Sequence, residues 1–271
     1  MGRKQYNELT FTDNFIFGKV MQHNKRLCKR LIEIICGKKI GEIRYRDVEK
    51  TIDPAYDSKG IRLDVCVIDD DGNVYDLEMQ VSNTKNIPKR MRYYHGVMDS
   101  AWLKPKENYN KLPNATVIFI CLEDIYGHDE PGYIKGGFIK GLRSSKEYES
   151  EDSEYTIVLN AACSCLPNDE LGRFLRFLKN GIPTDDFTQD LLHEVEIVKL
   201  NKEWEAEYMT LESMFDDKIQ LGKSLGDAQR LVKAVKLHVE EYNIPLEKAC
   251  IMCASTVEEY NDALDLLKSA E

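Results

Sequence analysis

The sequence predicts an α/β fold followed by an all-α region, and three observations carry that reading. Residues 62–81, RLDVCVIDDDGNVYDLEMQV, are two β-rich runs around Asp70-Asp71-Gly72-Asn73, the turn chemistry of a β-hairpin. Residues 115–122, Ala-Thr-Val-Ile-Phe-Ile-Cys-Leu, form an unbroken β-rich run, as expected of a central strand buried on both faces. From about residue 168 the apolar spacing becomes helical and stays so. A chain of 271 residues has ample core for one large domain or two modest ones.

The elements follow in order. Residues 12–36 read as one helix, with Thr12 as N-cap, a stripe of Phe15, Phe17, Val20, Met21, Leu27, Leu31, Ile34 and Ile35, and Gly37 as its stop. A short strand is expected around Ile40–Val48, then the hairpin. Residues 87–103 form a helix after Pro88, carrying Arg90, Tyr93, Tyr94, Val97, Met98 and Trp102. Weaker strands are expected near 133–139 and 155–160. Leu171–Leu178 is a helix ended by Gly181-Ile182-Pro183. A long helix runs from about Phe187 to Leu221, where Trp204, Tyr208, Leu211, Phe215 and Ile219 recur as a packing seam. After Gly222 and Gly226 a small helical tail is broken at Pro245. The expected organisation is a core over 1–165, a helical extension over 166–225 and a tail over 226–271.

Composition narrows the function classes. Hydrophobic residues at 42% and charged residues at 31% exclude a wholly disordered chain. The 37 basic and 47 acidic residues leave a net charge of −10, which argues against nucleic-acid binding through a bulk positive field. The distribution is uneven, however. Residues 85–111 hold seven basic groups against Asp99 and Glu107, and residues 19–30 hold five with no acid. A local basic surface and ordinary solvated helix faces both fit. No apolar run reaches the ~18 residues of a membrane helix, and the polar N-terminus does not read as a signal peptide, so a cytosolic location is expected. The eight cysteines read as buried thiols in a reducing compartment. Cys250-Ile-Met-Cys253 has only His238 nearby, short of a zinc-site pattern.

The hairpin carries the chemistry. Glu78 and Gln80 share one face of their strand. A three-residue loop, Asp70-Asp71-Gly72, pairs residue 69 with 73 and places Asp64 opposite Glu78; a two-residue loop puts them on opposite faces. Cross-strand partners have Cβ atoms about 4.5–5.5 Å apart, where two carboxylates repel unless a cation lies between them. Mg²⁺ uses one or two carboxylates plus waters and phosphate oxygens. The Gln80 side chain and the Met79 carbonyl are further oxygens within reach. A hydrolytic metal site and a surface hairpin with acidic residues are both compatible with this pattern.

An Asp, about a dozen residues, then Glu-x-Lys across a hairpin resembles the PD-(D/E)XK nuclease superfamily; with Glu78-Met79-Gln80 the likeness narrows. The chain resembles Rpn-type recombination-promoting nucleases, the PD-(D/E)XK nuclease family transposases. Residues 12–19, 57–64, 77–80, 90–94, 117–120, 155–160 and 207–209 match in order, spanning most of 10–225.

The resemblance implies a restriction-endonuclease-like core, a central mixed sheet flanked by helices, with the site on the hairpin. It implies Mg²⁺ or another divalent cation, DNA as partner, and cleavage that promotes recombination or mobile-element transfer. Asp64, Glu78 and Gln80 take the positions of the superfamily Asp, Glu and Lys, and Asp64, Glu78 and the Met79 backbone carbonyl take the metal. Gln80 is a departure, since an amide can orient a water but is neither base nor cation. Lys59 and Arg62 are nearby cations that could supply charge. Asp13 is the candidate for an acid on the first helix, ahead of Glu33, with helix capping as its other reading. Lys89, Arg90, Arg92 and Tyr93 are positioned to meet phosphates, or, for the two arginines, to pair with site carboxylates. A degenerate nuclease fold acting as a DNA-binding or protein-interaction module is the rival reading, and self-association is expected through the 187–221 helix.

Overall fold

The computed structural model describes residues 4–45, 61, 63–150 and 154–269. The chain divides into two compact units, Met1–Lys202 and Glu203–Glu271, a division that falls between the boundaries expected at 165 and 225.

The expected first helix is two helices, α1 (Asn14–His23) and α2 (Lys25–Cys36). Asn24 leaves helical geometry at φ −110° and ψ 86°, and its side chain accepts the Leu27 N–H, so one residue ends α1 and caps α2. The apolar stripe continues across this break, which is why periodicity alone reads as one helix. Asp13, not Thr12, is the N-cap of α1. Gly37 closes α2 at φ 65°, as its position predicted. Strand β1 is short (Arg44–Tyr45), and the remainder of the expected strand lies outside the described residues.

The hairpin forms in the three-residue-loop register. Strands β2 (Val65–Ile68) and β3 (Val74–Gln80) pair antiparallel, Val65 opposite Leu77 and Ile68 opposite Val74, with Gly72 left-handed at φ 85°. Helix α3 (Ile87–Trp102) follows, then the wholly buried β4 (Ala115–Cys121). The single strand expected near 133–139 is two, β5 (Gly132–Gly136) and β6 (Phe138–Lys140). Gly136 (φ 107°) and Gly137 (φ 72°) turn the chain between them, and a Cβ at 136 would lie 1.8 Å from the Glu154 carbonyl oxygen. Strand β6 instead pairs with β7 (Glu147–Glu149) in a separate ribbon, and β8 (Glu154–Asn160) returns to the main sheet. That sheet has the order β1-β2-β3-β4-β8-β5, with β3, β4 and β8 parallel and β5 antiparallel at its edge.

One face of the sheet (Cys66, Val74, Val117, Phe119 and Val158) packs on Ile87, Met91, Tyr94, Val97 and Met98 of α3. On the other face α1 lies against β2 and β3, joined by α2, α4 (Glu170–Asn180) and α5 (Asp186–Leu200). The architecture is a mixed sheet with flanking helices, consistent with a PD-(D/E)XK nuclease-like α/β fold.

The long helix expected over 187–221 is also broken. Asn201, at φ −81° and ψ 112°, separates α5 from α6 (Lys202–Tyr242), which then runs through both Gly222 and Gly226. A mid-helix glycine costs about 1 kcal/mol, too little to stop a helix of 41 residues. Phe215 and Ile219 of the expected seam are more than half exposed. In the second unit the end of α6 packs with α7 (Leu246–Met252) and α8 (Val257–Ser269) around Val232, Val235, Cys250 and Tyr260; Pro245 breaks the chain there as expected. Among the described residues no helix is long and apolar enough to cross a membrane.

Candidate active site

The site lies at the open end of the hairpin, where β2 peels away from β3. Main-chain bonds of β3 alternate in direction: Asn73 and its odd-numbered partners face β2, whereas Val74 and Gln80 bond toward β4. The N–H and carbonyl of Met79 therefore face β2. At that level β2 has ended, because Asp64 bends out with its carbonyl held by Gln22 Nε2 of α1 at 2.9 Å. The side chain of Asp64 replaces the missing ladder bond, its Oδ2 accepting the Met79 N–H at 3.2 Å. Glu78 Oε1 in turn accepts the Asp64 N–H at 2.9 Å. The two expected carboxylates thus meet across the hairpin.

Asp76 is a member of this group that pattern reading passed over. Strand alternation puts Asp76, Glu78 and Gln80 on the α3 face. Asp76 is fully buried, opposite Cys66 on β2 and Val117 on β4, and among the described residues neither carboxylate oxygen has a hydrogen-bond partner. Burial holds its carboxyl well above the usual carboxylate range, Asp64 pushes it further, and Arg90 offsets part of the effect. Glu78 is raised by the same burial and by the charges of Asp76 and Asp64, against the Asp64 N–H and Arg90. The available signal was an Asp inside an otherwise apolar strand, two residues before Glu78 and so on its face.

Helix α3 brings one cation to these acids. Arg90 Nη1 donates to Gln80 Oε1 at 2.7 Å, and Nη2 donates to the Tyr94 hydroxyl at 3.1 Å and lies 3.7 Å from Glu78 Oε2. Its guanidinium carbon lies 5.2 Å from the Phe119 ring centroid and 5.6 Å from that of Tyr94. The Tyr94 hydroxyl donates to Glu78 Oε2 at 3.4 Å, and burial raises its phenol to about 12. The other end of the Gln80 amide is also engaged, Nε2 donating to the Ser82 carbonyl at 2.7 Å.

The remaining expected residues separate. Asp13 is not brought to the site. Its carboxylate binds Lys4 Nζ at 2.8 Å and accepts from the Thr10 N–H and hydroxyl. It sits nine residues before Gln22, the residue of α1 that reaches Asp64, a rise of about 13 Å along a helix. Glu33 is buried and spoken for, bound by Lys39 at 2.9 Å. Lys59 and Arg62 lie outside the described residues. Lys89, Arg92 and Tyr93 are exposed on α3, with Arg90 turned inward between them. Among the described residues no three His, Cys, Asp or Glu side chains converge on one point.

Comparison with known proteins agrees with this reading at the family level. The model for "PD-(D/E)XK nuclease family transposase" matches residues 11–221, which contain every element described around the hairpin. No curated protein and no solved structure matches the chain. With a mixed sheet, an acidic hairpin and a match over most of its length, the chain belongs to the PD-(D/E)XK nuclease family transposases.

Proposed function

We propose that this chain is a metal-dependent DNA endonuclease of the Rpn type, hydrolysing phosphodiester bonds at the open end of the β2–β3 hairpin. The observation that carries the reading is a local excess of negative charge. The charges of Asp64 and Asp76 both bear on Glu78, with Arg90 as the cation supplied by α3, and among the described residues both oxygens of Asp76 lack partners. Buried carboxylates in this state are costly, and a divalent cation is the group that removes the cost. The donor set fits one. Asp64, Glu78 and the Met79 carbonyl, which faces the gap left by β2, would hold it, with waters and phosphate oxygens completing the shell. Such an ion supplies Lewis-acid activation of water and neutralises charge on the phosphate.

The chain's own residues do the rest. Gln22 fixes the Asp64 backbone, and two bonds, from the Asp64 N–H to Glu78 Oε1 and from the Met79 N–H to Asp64 Oδ2, set the spacing of the two carboxylates. Lys89, Arg92 and Tyr93, exposed on the helix next to the site, meet the DNA backbone. The eight free cysteines suit a reducing, cytosolic setting. Self-association through the 187–221 region belongs to the same proposal, supported by the exposure of Leu200, Met209, Phe215 and Ile219; sedimentation of Phe215→Lys against wild type checks it. Promotion of recombination or mobile-element transfer is the role this activity serves.

A second reading is a nuclease fold without cleavage, serving as a DNA-binding or protein-interaction module. Gln80 in place of the motif's Lys favours it. Plasmid nicking by purified protein with Mg²⁺, comparing wild type with Asp64→Ala, decides between them. Nicking by wild type alone supports the endonuclease, and its absence supports the module.

A further inference from the structure

The motif that names this family ends in Lys, and this chain has Gln80 at that position. We infer that Arg90 supplies from α3 the positive charge that the strand lacks, with Gln80 as the residue that holds it in place. The inference rests on the nuclease reading above and adds the source of its cation.

Four observations converge on Arg90. It donates to the oxygen of Gln80 itself, so its charge lies at the tip of the side chain standing in for Lys. Its other terminal nitrogen reaches Tyr94 and Glu78, which ties it to a carboxylate of the site. The rings of Phe119 and Tyr94 both lie within cation–π range of the guanidinium, which limits its freedom to swing away. Finally, the side chain is about one-third exposed at 32%, unlike Asp76 beneath it, so it opens onto the surface where a phosphate arrives.

Gln80 explains the arrangement from the strand side. Both ends of its amide are engaged, the nitrogen by the Ser82 carbonyl and the oxygen by Arg90. That fixes which end points at the guanidinium. Gln80 is therefore a positioning residue for Arg90 in this reading. An arginine carries five N–H donors and is always charged. Arg90 spends one on Gln80 and one on Tyr94, leaving donors for a phosphate oxygen. It cannot accept a proton, so it acts by stabilising charge that develops on the phosphate and not as a base.

A charge swap tests this. Cleavage of a defined duplex with Mg²⁺ is measured for wild type, Arg90→Met, Arg90→Lys, and Arg90→Met combined with Gln80→Lys, each checked by thermal melting. Arg90→Met should lower kcat by about 10²–10³-fold with KM little changed. The double variant should regain at least about tenfold of that loss, because Lys at position 80 returns the charge to the strand; Arg90→Lys should lie between Arg90→Met and wild type. Arg90→Met with wild-type kcat overturns the inference. So does a folded double variant no faster than Arg90→Met, or a loss confined to KM, which marks a DNA anchor only. Wild type that cleaves nothing overturns the nuclease reading first, and is thereby distinguished from failure of the swap.

Discussion

The two ends of the β2–β3 hairpin each bury an aspartate and treat it in opposite ways. At the turn, Asp69 is 1% exposed and its oxygens accept from the Asp71 and Asn73 N–H groups, the Asn73 side chain and the Tyr75 hydroxyl. At the open end, Asp76 is equally buried and among the described residues its oxygens accept from nothing. Burial is the same, so burial does not explain the difference. Asp69 stabilises a loop by satisfying main-chain donors that the turn leaves over. Asp76 faces other carboxylates, a cost that a protein carries where the charge is used.

The sharpest way to break this comparison is to remove the acids at the open end. Asp64→Ala and Glu78→Ala should each reduce Mg²⁺-dependent nicking by at least about 10³-fold, while metal-free melting temperature holds or rises. Wild-type nicking by either variant would make the two ends equivalent.

The turn should respond the other way. Asp69→Ala removes several buried hydrogen bonds and should cost about 2–4 kcal/mol of stability, measured by denaturant titration. Nicking per folded molecule should stay at the wild-type value.

Asp76→Asn keeps the shape and removes the charge. Metal-free protein should gain about 1–2 kcal/mol at pH 8, and the gain should shrink as pH falls. The sign follows from the raised carboxyl. The wild-type group contributes no penalty below the ordinary Asp value near 4. It costs stability progressively as pH rises toward its elevated folded-state value, because the unfolded chain ionises first. Melting curves of both proteins from pH 4 to 8 check this, and parallel curves would contradict it.

The smallest effect belongs to the exposed face of α3. Lys89→Ala with Arg92→Ala should flatten the salt dependence of DNA binding by a slope of about 0.9 per lost phosphate contact and leave the hairpin's stability unchanged. Affinities at several salt concentrations, with unaltered slope, would show an ordinary solvated face.

Local signals explain what the sequence revealed. Asp70-Asp71-Gly72 specified a left-handed glycine, and that turn fixed the register that sets Asp64 against Glu78. Neighbours in the register are decided by a few consecutive residues. Asp76 was hidden for the opposite reason, and for Arg90 the sequence left two readings, a phosphate contact or a site carboxylate, that only the packing separates. The burial of Asp76 depends on α3 and β4 closing over it, and the inward turn of Arg90 depends on where α3 crosses the sheet. The same logic applies to the broken helices: Asn24 and Asn201 interrupt apolar stripes that continue on either side, so the 3.6-residue period passes over both.

The paired glycines after β5 also bear on how the chain behaves in a crowded solution. A sheet edge is a template on which a foreign strand can add. Strand β5 is such an edge, and Ile134 on it is 62% exposed. By swinging the backbone out of the sheet after five residues, Gly136 and Gly137 keep that template short. The cost of replacing Gly136 would therefore appear first as insoluble protein, before any change in a catalytic rate.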